Sequence, residues 1–535
     1  MSGMFRKVTL YVRTILRMKP SMLIARLRGL RKVPETSYKS IKPLSIVIPV
    51  LDCDSSYVSR FDVDALFDNV FFLLGEQHTV DLDQWKVPEA SHLWNFNLHY
   101  FEYCIPLAAR FSASGDVKDI ELFKRLVYSW IEHCEYPNGD AWHPYTISLR
   151  LVNWLVCLNL FGSALISDSS FMEAIGASMY RQYQHLLANQ EKHLLANHYF
   201  ENLKTLVICA LMFEENEVLS TVEDALLRQL EEQVLSDGVH FERSLMYHKL
   251  CIEGLFRVEL AYRSAGILAP GLIFSKVKLM IDAVASIERG MGKTPFFNDA
   301  ADGVAKECCQ LIAACRKIYV YEADSSLTAF PKAGFFKLYN GEVSVVFFAG
   351  CPGPSYMLGH SHCDLLSFEA SISGKPVLVN SGTYAYQTNL RDYFRSTSAH
   401  NTVLINGNEQ MEFWAEHRVA RSSNAPSIIR NNTDSICARF QTIDGVDVTR
   451  SVTVLNDSII IEDSFGEQVK SANEFLHFKG QEFDLSKVEV LCVQGKSTVA
   501  DYETPYSEVM GVLEKKRTVC IQLEDVSKIT YKITY

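Results

Sequence analysis

The sequence predicts a multidomain α+β protein in which a helical domain precedes a large antiparallel β domain. Between residues 100 and 320, apolar residues recur every three or four positions in about nine segments, as in amphipathic helices. From about residue 325 onward, apolar and polar residues alternate, and turns such as Asn340-Gly341 and Asn406-Gly407 separate the segments. We therefore expect a basic helical segment with an irregular lead-in, a helical domain and a β domain, over residues 1–92, 93–322 and 323–535.

The helical domain is expected to be an arc or ring of stacked helical hairpins, because its helices are of similar length and their connections are short. No fixed-period repeat of the solenoid kind is present. The predicted helices lie at 100–114, 118–134, 145–163, 169–189, 198–213, 221–236, 246–265, 273–289 and 304–318. In the β domain, the two-residue period and the tight turns predict stacked antiparallel sheets.

The composition of the chain excludes some classes of protein. The 535 residues carry a net charge of −11, which argues against nucleic acid as a partner. An acidic polysaccharide is compatible with this charge, because a cleft can be basic on an acidic protein. The 14 cysteines are scattered and form no C-x-x-C pair. We therefore expect reduced thiols in a cytoplasmic protein rather than a disulfide framework or a zinc ribbon.

The first 33 residues carry nine Lys and Arg residues and no Asp or Glu. Charges interrupt the apolar residues, so the segment lacks the apolar core of a secretion signal. No run of about 18 apolar residues predicts a membrane-spanning helix. We expect a basic amphipathic helix or helix pair, which either contacts an anionic membrane surface through residues 5–32 or packs on the main body.

The stretch from Gly359 to Glu369 contains a dense group of titratable side chains. His360, His362 and Asp364 follow a two-residue period, so on a strand they would point to the same face. Polar groups side by side on a strand are costly unless a metal ion, a substrate or their own hydrogen bonds compensate. The pattern predicts either a functional cluster or a hydrogen-bonded cluster at a strand end.

Further polar clusters interrupt the helical domain, most of them at or near predicted helix starts. Loops at one end of the helices would line one rim of an arc, and helix N-termini offer free N–H groups to anions. Trp94 and Asn97 lie in a stretch rich in aromatic and amide groups, which either contacts sugars or fills a domain junction. For Asp237, Asn298 and Asp299 we expect capping or turn roles.

Four ordered motifs carry a resemblance to a known family. They are ANHYFENLK at 196–204, DGVHFERSLMYHKL at 237–250, GHSHCDLLSFEASISGKPVLVNSGTYAY at 359–386 and RDYFRSTSAHNTVLINGNEQMEFW at 391–414. With these motifs the chain resembles the heparinase II/III-like family of polysaccharide lyases over roughly residues 90–430. The resemblance implies an N-terminal α/α toroid, which is an incomplete helical barrel. A C-terminal antiparallel β-sandwich is expected to follow it.

The resemblance implies cleavage of a uronic-acid-containing polysaccharide by β-elimination. That reaction needs a base for the C5 proton, a neutral amide or a metal beside the carboxylate, and an acid for the leaving oxygen. By motif match, Asn197 resembles the amide, Tyr247 the acid/base and His360 the base. Each also has a structural alternative, such as helix capping for Asn197.

Twelve further side chains are expected to bind the saccharide, either from this resemblance or from their polar surroundings. They are Trp94, Asn97, His143, Tyr145, Arg150, His198, Glu201, Arg243, Tyr384, Arg391, Arg395 and Trp414. Arg243 is a candidate contact to a sugar carboxylate. Arg391 and Arg395 either face an anionic sugar chain, or one of them pairs with Asp392.

Some members of the family hold a zinc ion with two histidines and an aspartate in the β domain. The matching positions are His362, Asn380 and His400, and the usual Val-Asp-Ser-Gly reads Val-Asn-Ser-Gly at 379–382. An amide oxygen is a poorer zinc ligand than a carboxylate, unless Asp364 compensates. The two histidines therefore either bind zinc or hydrogen-bond within the sheet.

Two other functions stay open. A glycoside hydrolase needs two opposed carboxylates, and Glu201, Glu242, Asp299 and Asp364 are available without forming an obvious pair. A non-catalytic saccharide-binding protein in capsule or O-antigen assembly is compatible with the altered zinc motif and with the lack of a secretion signal. Because proteins of this family occur alongside bacterial surface-polysaccharide synthesis, the resemblance implies a role in the cytoplasm, peripheral to the inner membrane.

Overall fold

The computed structural model describes residues 3–33, 39–137, 139–480 and 484–535. Helices dominate up to residue 319, and strands dominate from residue 329 onward. The α-helices are α1 (Gly3–Arg17), α2 (Pro20–Leu27), α3 (Pro49–Asp52), α4 (Ser55–Val58), α5 (His92–Leu98), α6 (Cys104–Ser114), α7 (Val117–His133), α8 (Pro144–Phe161), α9 (Ser163–Ile166), α10 (Ser169–Ala188), α11 (Ala196–Met212), α12 (Asn216–Gln233), α13 (Leu245–Ala265), α14 (Gly271–Glu288), α15 (Cys308–Tyr319) and α16 (Arg391–Arg395).

All the helices predicted between residues 100 and 320 are present as α6–α8 and α10–α15, with ends that differ by a few residues. Helix α15 begins after its predicted position, at Cys308 instead of residue 304. Glu307 and Gln310 form a reciprocal capping box there, and this fixes the first turn at Cys308. Among the described residues, no helix combines the length and the apolar character needed to span a bilayer.

The helical domain is a two-layered arc. Helices α6, α8, α11, α13 and α15 each contact the next one along the inner layer, and α7, α10, α12 and α14 cover them from outside. The inner helix α11 buries 14 of its 17 residues, because its sequence is apolar on nearly every side. The outer helix α7 buries one side only, as its amphipathic pattern requires. The predicted α/α toroid is confirmed.

The strands include one hairpin that precedes the helical domain and a large set that follows it. They are β1 (Val70–Leu73), β2 (Glu76–Thr79), β3 (Ala329–Phe330), β4 (Phe335–Asn340), β5 (Val343–Phe348), β6 (Phe368–Ile372), β7 (Lys375–Leu378), β8 (Val403–Ile405), β9 (Met411–Ala415), β10 (Arg418–Ser422), β11 (Ser427–Asn431), β12 (Ser435–Gln441), β13 (Asp447–Val454), β14 (Ser458–Phe478), β15 (Val488–Tyr506) and β16 (Glu514–Thr534).

The β domain consists of one large antiparallel sheet that curls into a sandwich and of the separate β9–β10 hairpin. Its main path runs β11-β12-β13-β14-β7-β6-β5-β4-β3, while β8 and β16 also pair with β14, and β15 pairs with β16. A register shift between Ser464 and Val469 bends β14, so its first half pairs with β13 and its second half with β7 and β8. Val345, Val452 and Ile529 from different strands share one core. The predicted β-sandwich is confirmed, and β13 alternates buried and half-buried residues as expected.

The loop at residues 296–302, between α14 and α15, fastens the helical domain to the β domain. The N–H of Asn298 donates to Oδ2 of Asp364 at 2.8 Å. The N–H of Asp299 donates to the backbone carbonyl of His360 at 2.9 Å. Backbone hydrogen bonds of this kind fix the relative position of groups that belong to different domains.

Candidate active site

A cavity of about 630 Å³ lies between the helical domain and the β domain. Helices α5, α8, α11 and α13 form one wall, and β-domain segments near residues 357–360, 386–387, 417–418 and 509–512 form the other. More than half of the lining residues are apolar or aromatic, and polar groups reach the wall at a limited number of points. Binding sites for small molecules have this composition.

Three residues matched to catalytic roles line this cavity together: Asn197, Tyr247 and His360. Asn197 lies in the first turn of α11 and Tyr247 in the first turn of α13, so the N-terminal ends of both helices face the cavity. His360 comes from the loop before β6, in the β domain. The rings of Tyr247 and His360 are in contact, with 4.3 Å between their centroids. Both domains therefore contribute to one site.

Strained backbone places Asn197 at the cavity wall. Leu195 and Ala196, the two residues before it, have φ angles of 57° and 47°. Such left-handed angles cost a non-glycine residue about 1–3 kcal/mol each, and they persist where surrounding contacts enforce them. One such contact is the N–H of Glu191, which donates to Oδ1 of Asn202 at 2.8 Å. The loop before α11 is thereby held in a shape that turns its first residues toward the cavity.

A buried carboxylate orients His360. Nδ1 of His360 lies 2.9 Å from Oδ2 of Asp299, and Arg391 donates to both oxygens of this carboxylate. Nε2 of His362 lies 2.8 Å from Oδ1 of Asp299. Burial alone would raise the pKa of Asp299, but Arg391 and the two imidazole rings hold that pKa well below its usual range. Asp299 is therefore ionised and accepts a hydrogen bond from each imidazole.

The position of the lone pair on His360 follows from this contact. Because Nδ1–H donates to ionised Asp299, the neutral ring carries its lone pair on Nε2. Nε2 makes no hydrogen bond to any residue that the structure describes. The side chain is 13% exposed and lines the cavity. His360 thus offers a basic nitrogen to a molecule bound there.

Tyr247 is arranged as a proton donor. Its hydroxyl lies 2.8 Å from the hydroxyl of Tyr386. Burial raises the pKa of Tyr247 well above its usual range, and burial also raises the pKa of Tyr386. Both phenols are therefore protonated at neutral pH, and Tyr247 has a proton available beside the free nitrogen of His360.

The surroundings of Asn197 suit a carboxylate ligand. Nδ1 of His198 lies 2.9 Å from Oε1 of Glu191. Burial lowers the pKa of His198, but Glu191 outweighs burial and the pKa is raised overall, which favours the imidazolium. Burial raises the pKa of Glu242, which favours its neutral form. A cation, an amide and the start of a helix therefore meet at this end of the cavity.

Comparison with known proteins places the chain in a family. Residues 53–325 match the family model "Heparinase II/III N-terminus", and residues 322–498 match "Heparinase II/III-like, C-terminal". The first match alone spans more than half of the chain. The chain belongs to the heparinase II/III-like family.

Two curated relatives of this heparinase II/III-like chain are both heparin-sulfate lyases. The one from Pedobacter heparinus is 21% identical over 429 residues, which is 72% of this chain and 62% of the relative. The one from Bacteroides thetaiotaomicron is 21% identical over 373 residues, 60% of this chain and 53% of the relative. The chain thus spans less than two thirds of the length of these relatives.

Solved heparinase structures share the fold of this heparinase II/III-like chain. A crystal structure of heparinase III superimposes with a TM-score of 0.73 at 16% identity, covering 98% of this chain and 89% of the other. The heparan sulfate lyase HepC of Pedobacter heparinus gives a TM-score of 0.58 at 16% identity, covering 96% and 87%. At these identities the likeness establishes the fold.

Four of the twelve expected saccharide-binding residues line the cavity of this heparinase II/III-like protein. They are Asn97, Tyr145, His198 and Glu201. The ring of Tyr145 lies 4.5 Å from the ring of His198, close to Asn197. The other eight do not line the cavity, and five of them are buried, which corrects the expectation of saccharide contact for those five. The eight are Trp94, His143, Arg150, Arg243, Tyr384, Arg391, Arg395 and Trp414.

Three of these eight residues support the helical domain. Trp94 is fully buried, and its Nε1 donates to a backbone carbonyl of the β1–β2 hairpin at 3.3 Å. Arg150 is fully buried and donates to two backbone carbonyls at 3.0 and 2.7 Å. His143 caps α8 by accepting from the N–H of Tyr145 at 3.3 Å. The polar atoms of Trp94 and Arg150 serve the fold rather than a ligand.

The other five residues belong to the β domain and its junctions. Arg243 donates to the carbonyls of residues 332 and 333, and Arg395 donates to those of 415 and 416. Neither Arg391 nor Arg395 has Asp392 as its partner in an ion pair among the described residues. Nε1 of Trp414 donates to Thr14 in α1 at 3.1 Å. Tyr384 lies on a separate small cavity beside Tyr386.

Two of the three expected zinc ligands are arranged as a metal-binding pair. Nδ1 of His362 and Nε2 of His400 face each other at 3.1 Å. Their other nitrogens donate to Asp299 and to the carbonyl of Ser396, each at 2.8 Å. Both facing nitrogens therefore carry lone pairs in neutral rings, and burial lowers the pKa of both rings. A cation between them would relieve this repulsion.

The third expected ligand, Asn380, does not fit. Its Oδ1 accepts from Oγ of Ser367 at 2.8 Å and from the N–H of Asn401 at 3.1 Å. Its Nδ2 donates to the carbonyl of Phe296 at 3.0 Å. With both polar atoms engaged, the amide has no free lone pair for a metal ion. The expected set of three zinc ligands is therefore not assembled.

A second group of donors lies beside His360. One oxygen of Asp299 and one nitrogen each of His360 and His417 lie within 4.8 Å of one another, a His/Asp triad of the kind that binds metal ions. Burial lowers the pKa of His417 to about 3, so the ring is neutral. Because Arg391 already donates to both oxygens of Asp299, a metal ion there would meet a guanidinium at close range.

Sequence reasoning assigned no role in the elimination to four residues of this site: Asp299, Tyr386, His417 and Glu242. Asp299, expected to have a capping or turn role, is instead the shared acceptor for two imidazoles and a guanidinium. The sequence did carry one signal for Asp299. Arg391 and Arg395 lie in one motif, and buried arginines require a negative charge as partner. Tyr386 lies within a quoted motif but was not singled out, and only long-range geometry identifies its contact with Tyr247.

Asp364 makes stability depend on pH. It is fully buried, its Oδ1 has no partner among the described residues, and burial raises its pKa to about 7. An unfolded aspartate has a pKa of about 3.9, so this carboxyl favours the folded state most below pH 4 and loses that contribution as the pH rises to 7. It contacts Asn298 rather than the two zinc-site histidines.

We expect Asp364→Asn, which cannot ionise, to gain stability relative to the natural protein as the pH rises from 4 to 7. The gain should level off above pH 7 at about 2–4 kcal/mol. Urea unfolding at pH 4.5 and pH 8 measures it. A difference between the two proteins that does not change with pH would contradict the expectation.

Proposed function

We propose that the protein is a polysaccharide lyase that cleaves a uronic-acid-containing glycan by β-elimination. The observation that carries the proposal is the shared cavity, in which an amide, a phenol and an imidazole from two domains meet. Its curated relatives are heparin-sulfate lyases, which supports the same reaction class.

The first step is removal of the proton at C5 of the uronate. Nε2 of His360 takes this proton, and the C–H electron pair moves toward the carboxylate. Asp299 then faces an imidazolium, and its negative charge stabilises that cation. Because the ring is held at Nδ1, the base needs little reorganisation when substrate binds.

The charge that develops on the uronate carboxylate is received at the other end of the site. Asn197 supplies a neutral amide donor there, and His198 supplies positive charge. The N-terminal end of α11, where Asn197 lies, adds the positive end of the helix dipole. Donors that are already in place where charge develops are commonly the largest contribution to catalysis.

The second step breaks the bond between C4 and the glycosidic oxygen. The electron pair from C5 forms the C4=C5 double bond, and Tyr247 donates its proton to the departing oxygen. The hydroxyl of Tyr386, 2.8 Å away, stabilises the resulting phenolate. Water returns the proton to Tyr247, and His360 releases its proton to solvent, so the enzyme is restored.

The charges of the cavity support a lightly charged uronate glycan as substrate. Five Lys and Arg residues line the wall, and three of them are paired with carboxylates that also line it: Arg60 with Glu102, Lys204 with Glu201, and Arg257 with Glu253. Paired cations have little attraction left for further anions. We therefore propose a polymer with one carboxylate and few or no sulfates per repeat.

We place this activity in the cytoplasm, beside the inner membrane, in the metabolism of a bacterial surface polysaccharide. The fourteen free cysteines support a reducing compartment. Fractionation of cells that produce the tagged protein tests the location, with a periplasmic and a cytoplasmic marker as references.

The test of the reaction is turnover of a panel of polymers. Purified protein is incubated with unsulfated and heavily sulfated uronate polymers while near-ultraviolet absorbance of the unsaturated product is followed. Absorbance should rise with an unsulfated polymer and should not rise with His360→Ala. His78→Ala, at a histidine outside the cavity lining, is the matched control. Saturated reducing ends without absorbance would indicate a hydrolase, and binding without products would indicate a saccharide-binding protein.

We propose that His362 and His400 bind Zn²⁺ weakly, because Asn380 is engaged elsewhere. Asn380→Asp supplies a charged oxygen and should raise zinc affinity about 10-fold or more. It should also make the melting temperature depend on zinc. Metal analysis after dialysis and thermal unfolding measure both effects, with exposed Asn424→Asp as the control. Equal zinc content in all three proteins would contradict the proposal.

A further inference from the structure

Helix α1 packs on the protein with a mostly polar side, formed by Arg13, Thr14, Arg17 and the buried Leu10. Arg13 contacts Glu412 at 2.8 Å, and Nε of Arg17 donates to the carbonyl of Ala420 at 3.1 Å. These partners belong to the β9–β10 hairpin, whose Trp414 also donates to Thr14 in α1. An amphipathic helix of a globular protein ordinarily buries its apolar side instead.

The apolar side of α1 faces outward. Phe5, Val8, Val12, Ile15 and Leu16 are 71%, 55%, 49%, 47% and 79% exposed. Their spacing of three and four residues places them on one side of the helix, opposite Arg13 and Arg17. The apolar side of α1 consists of these five residues.

Helix α2 and the residues after it extend this exposed apolar surface. Met22 is fully buried and anchors α2 in the core of the helical domain. Ile24, Leu27 and Leu30 are 54%, 88% and 70% exposed. Apolar residues that cluster at the surface in this way mark an interaction site.

The charged residues of the segment that carries this surface are all positive. The first 33 residues contain nine Lys and Arg residues and no acid, whereas the other 502 residues contain 43 Lys and Arg against 63 Asp and Glu. The exposed cations beside the apolar residues include Arg6, Lys7, Arg26, Arg28 and Lys32. A second copy of the same surface would bring the exposed cations of one copy against those of the other, so charge disfavours self-association through it.

We propose that the outward apolar side of α1, continued by α2, binds the surface of an anionic lipid bilayer. The apolar residues enter the boundary between headgroups and acyl chains, and the flanking cations contact anionic headgroups. The helices lie in the plane of the membrane. The proposal is independent of the elimination reaction, because none of these residues lines the cavity.

Vesicle flotation with the full chain tests the proposal. The protein should float with phosphatidylglycerol-containing vesicles, should float much less with pure phosphatidylcholine, and should be released by salt. The double variant Phe5→Ser/Leu16→Ser should lose about 10-fold or more in partitioning. Leu268→Ser, at a residue 94% exposed elsewhere on the protein, should bind like the natural chain.

Four results would overturn the proposal. Two concern the natural chain: it is recovered with neither kind of vesicle, or it binds both kinds equally. The third is that the double variant binds as well as the natural chain. The fourth is a dimer in sedimentation that the double variant dissociates, which would mean that a second copy covers this surface. The comparison of two lipids with the natural chain does not depend on how the variants fold.

Discussion

Replacing Tyr247 by Phe is expected to lower kcat by about 10²–10⁴-fold, the usual contribution of a positioned acid. The change removes the proton that the leaving oxygen requires and keeps the ring that packs against His360 at 4.3 Å. Substrate affinity should change little, because the hydroxyl serves the bond-breaking step rather than the ground state. Initial rates from product absorbance, together with KM, measure the effect.

Tyr384→Phe is the matched control for Tyr247→Phe. It removes the hydroxyl of another tyrosine in the same region, but from a side chain that does not line the main cavity. Its rate should stay within about twofold of the natural chain. If Tyr247→Phe retained full turnover, or if both variants lost activity equally, Tyr247 would not be the acid.

Asp299→Asn is expected to lower both stability and activity. It leaves the guanidinium of Arg391, which is 2% exposed, without its counter-charge, and this costs about 3–5 kcal/mol. The Asn amide group can also donate to Nδ1 of His360, which moves the ring hydrogen to Nε2 and blocks the base. We expect a loss of about 10³–10⁴-fold in kcat. Chemical unfolding and initial rates, both measured under conditions where the variant is folded, test the two effects.

A second substitution separates the two effects of Asp299→Asn. Arg391→Met in the same protein removes the unpaired cation, so the double variant should recover much of the stability but none of the activity. Asp83→Asn, at a carboxylate 81% exposed, is the control and should stay within about 0.5 kcal/mol. Recovery of activity together with stability would show that Asp299 acts on the fold and not on His360.

Much of the fold could be predicted from the sequence, because periodicity reports directly which side of an element is buried. The alternation expected of the β domain is present in β13, and the one-sided pattern predicted for residues 118–134 is present in α7. The same reasoning could not show that β14 bends between Ser464 and Val469. That bend depends on pairing with strands far away in the chain.

The candidate site was less predictable, because a charged residue has the same appearance in a motif whether its partner is a substrate or another side chain. Arg391 was expected to face a sugar, but its partner is Asp299, 92 positions earlier. Trp414 was expected at the cavity, but it contacts Thr14, 400 positions away. Such partners are set by tertiary contacts, which no local pattern reports. Tyr145 and Glu201 are at the wall because the N-terminal halves of α8 and α11 converge there, and Asn97 reaches it from the end of α5.

The loop at residues 296–302 has a consequence for how this protein can be divided. Asp299 reaches His360 from a connection between two helices, while His360 itself is carried by the β domain. Cutting the chain between the domains would separate a base from the carboxylate that aims it, so neither fragment alone should turn over substrate. Exchange of one domain for that of a distant homologue should likewise fail unless this connection is transplanted with its acceptors. Catalytic activity therefore depends on both domains being present together.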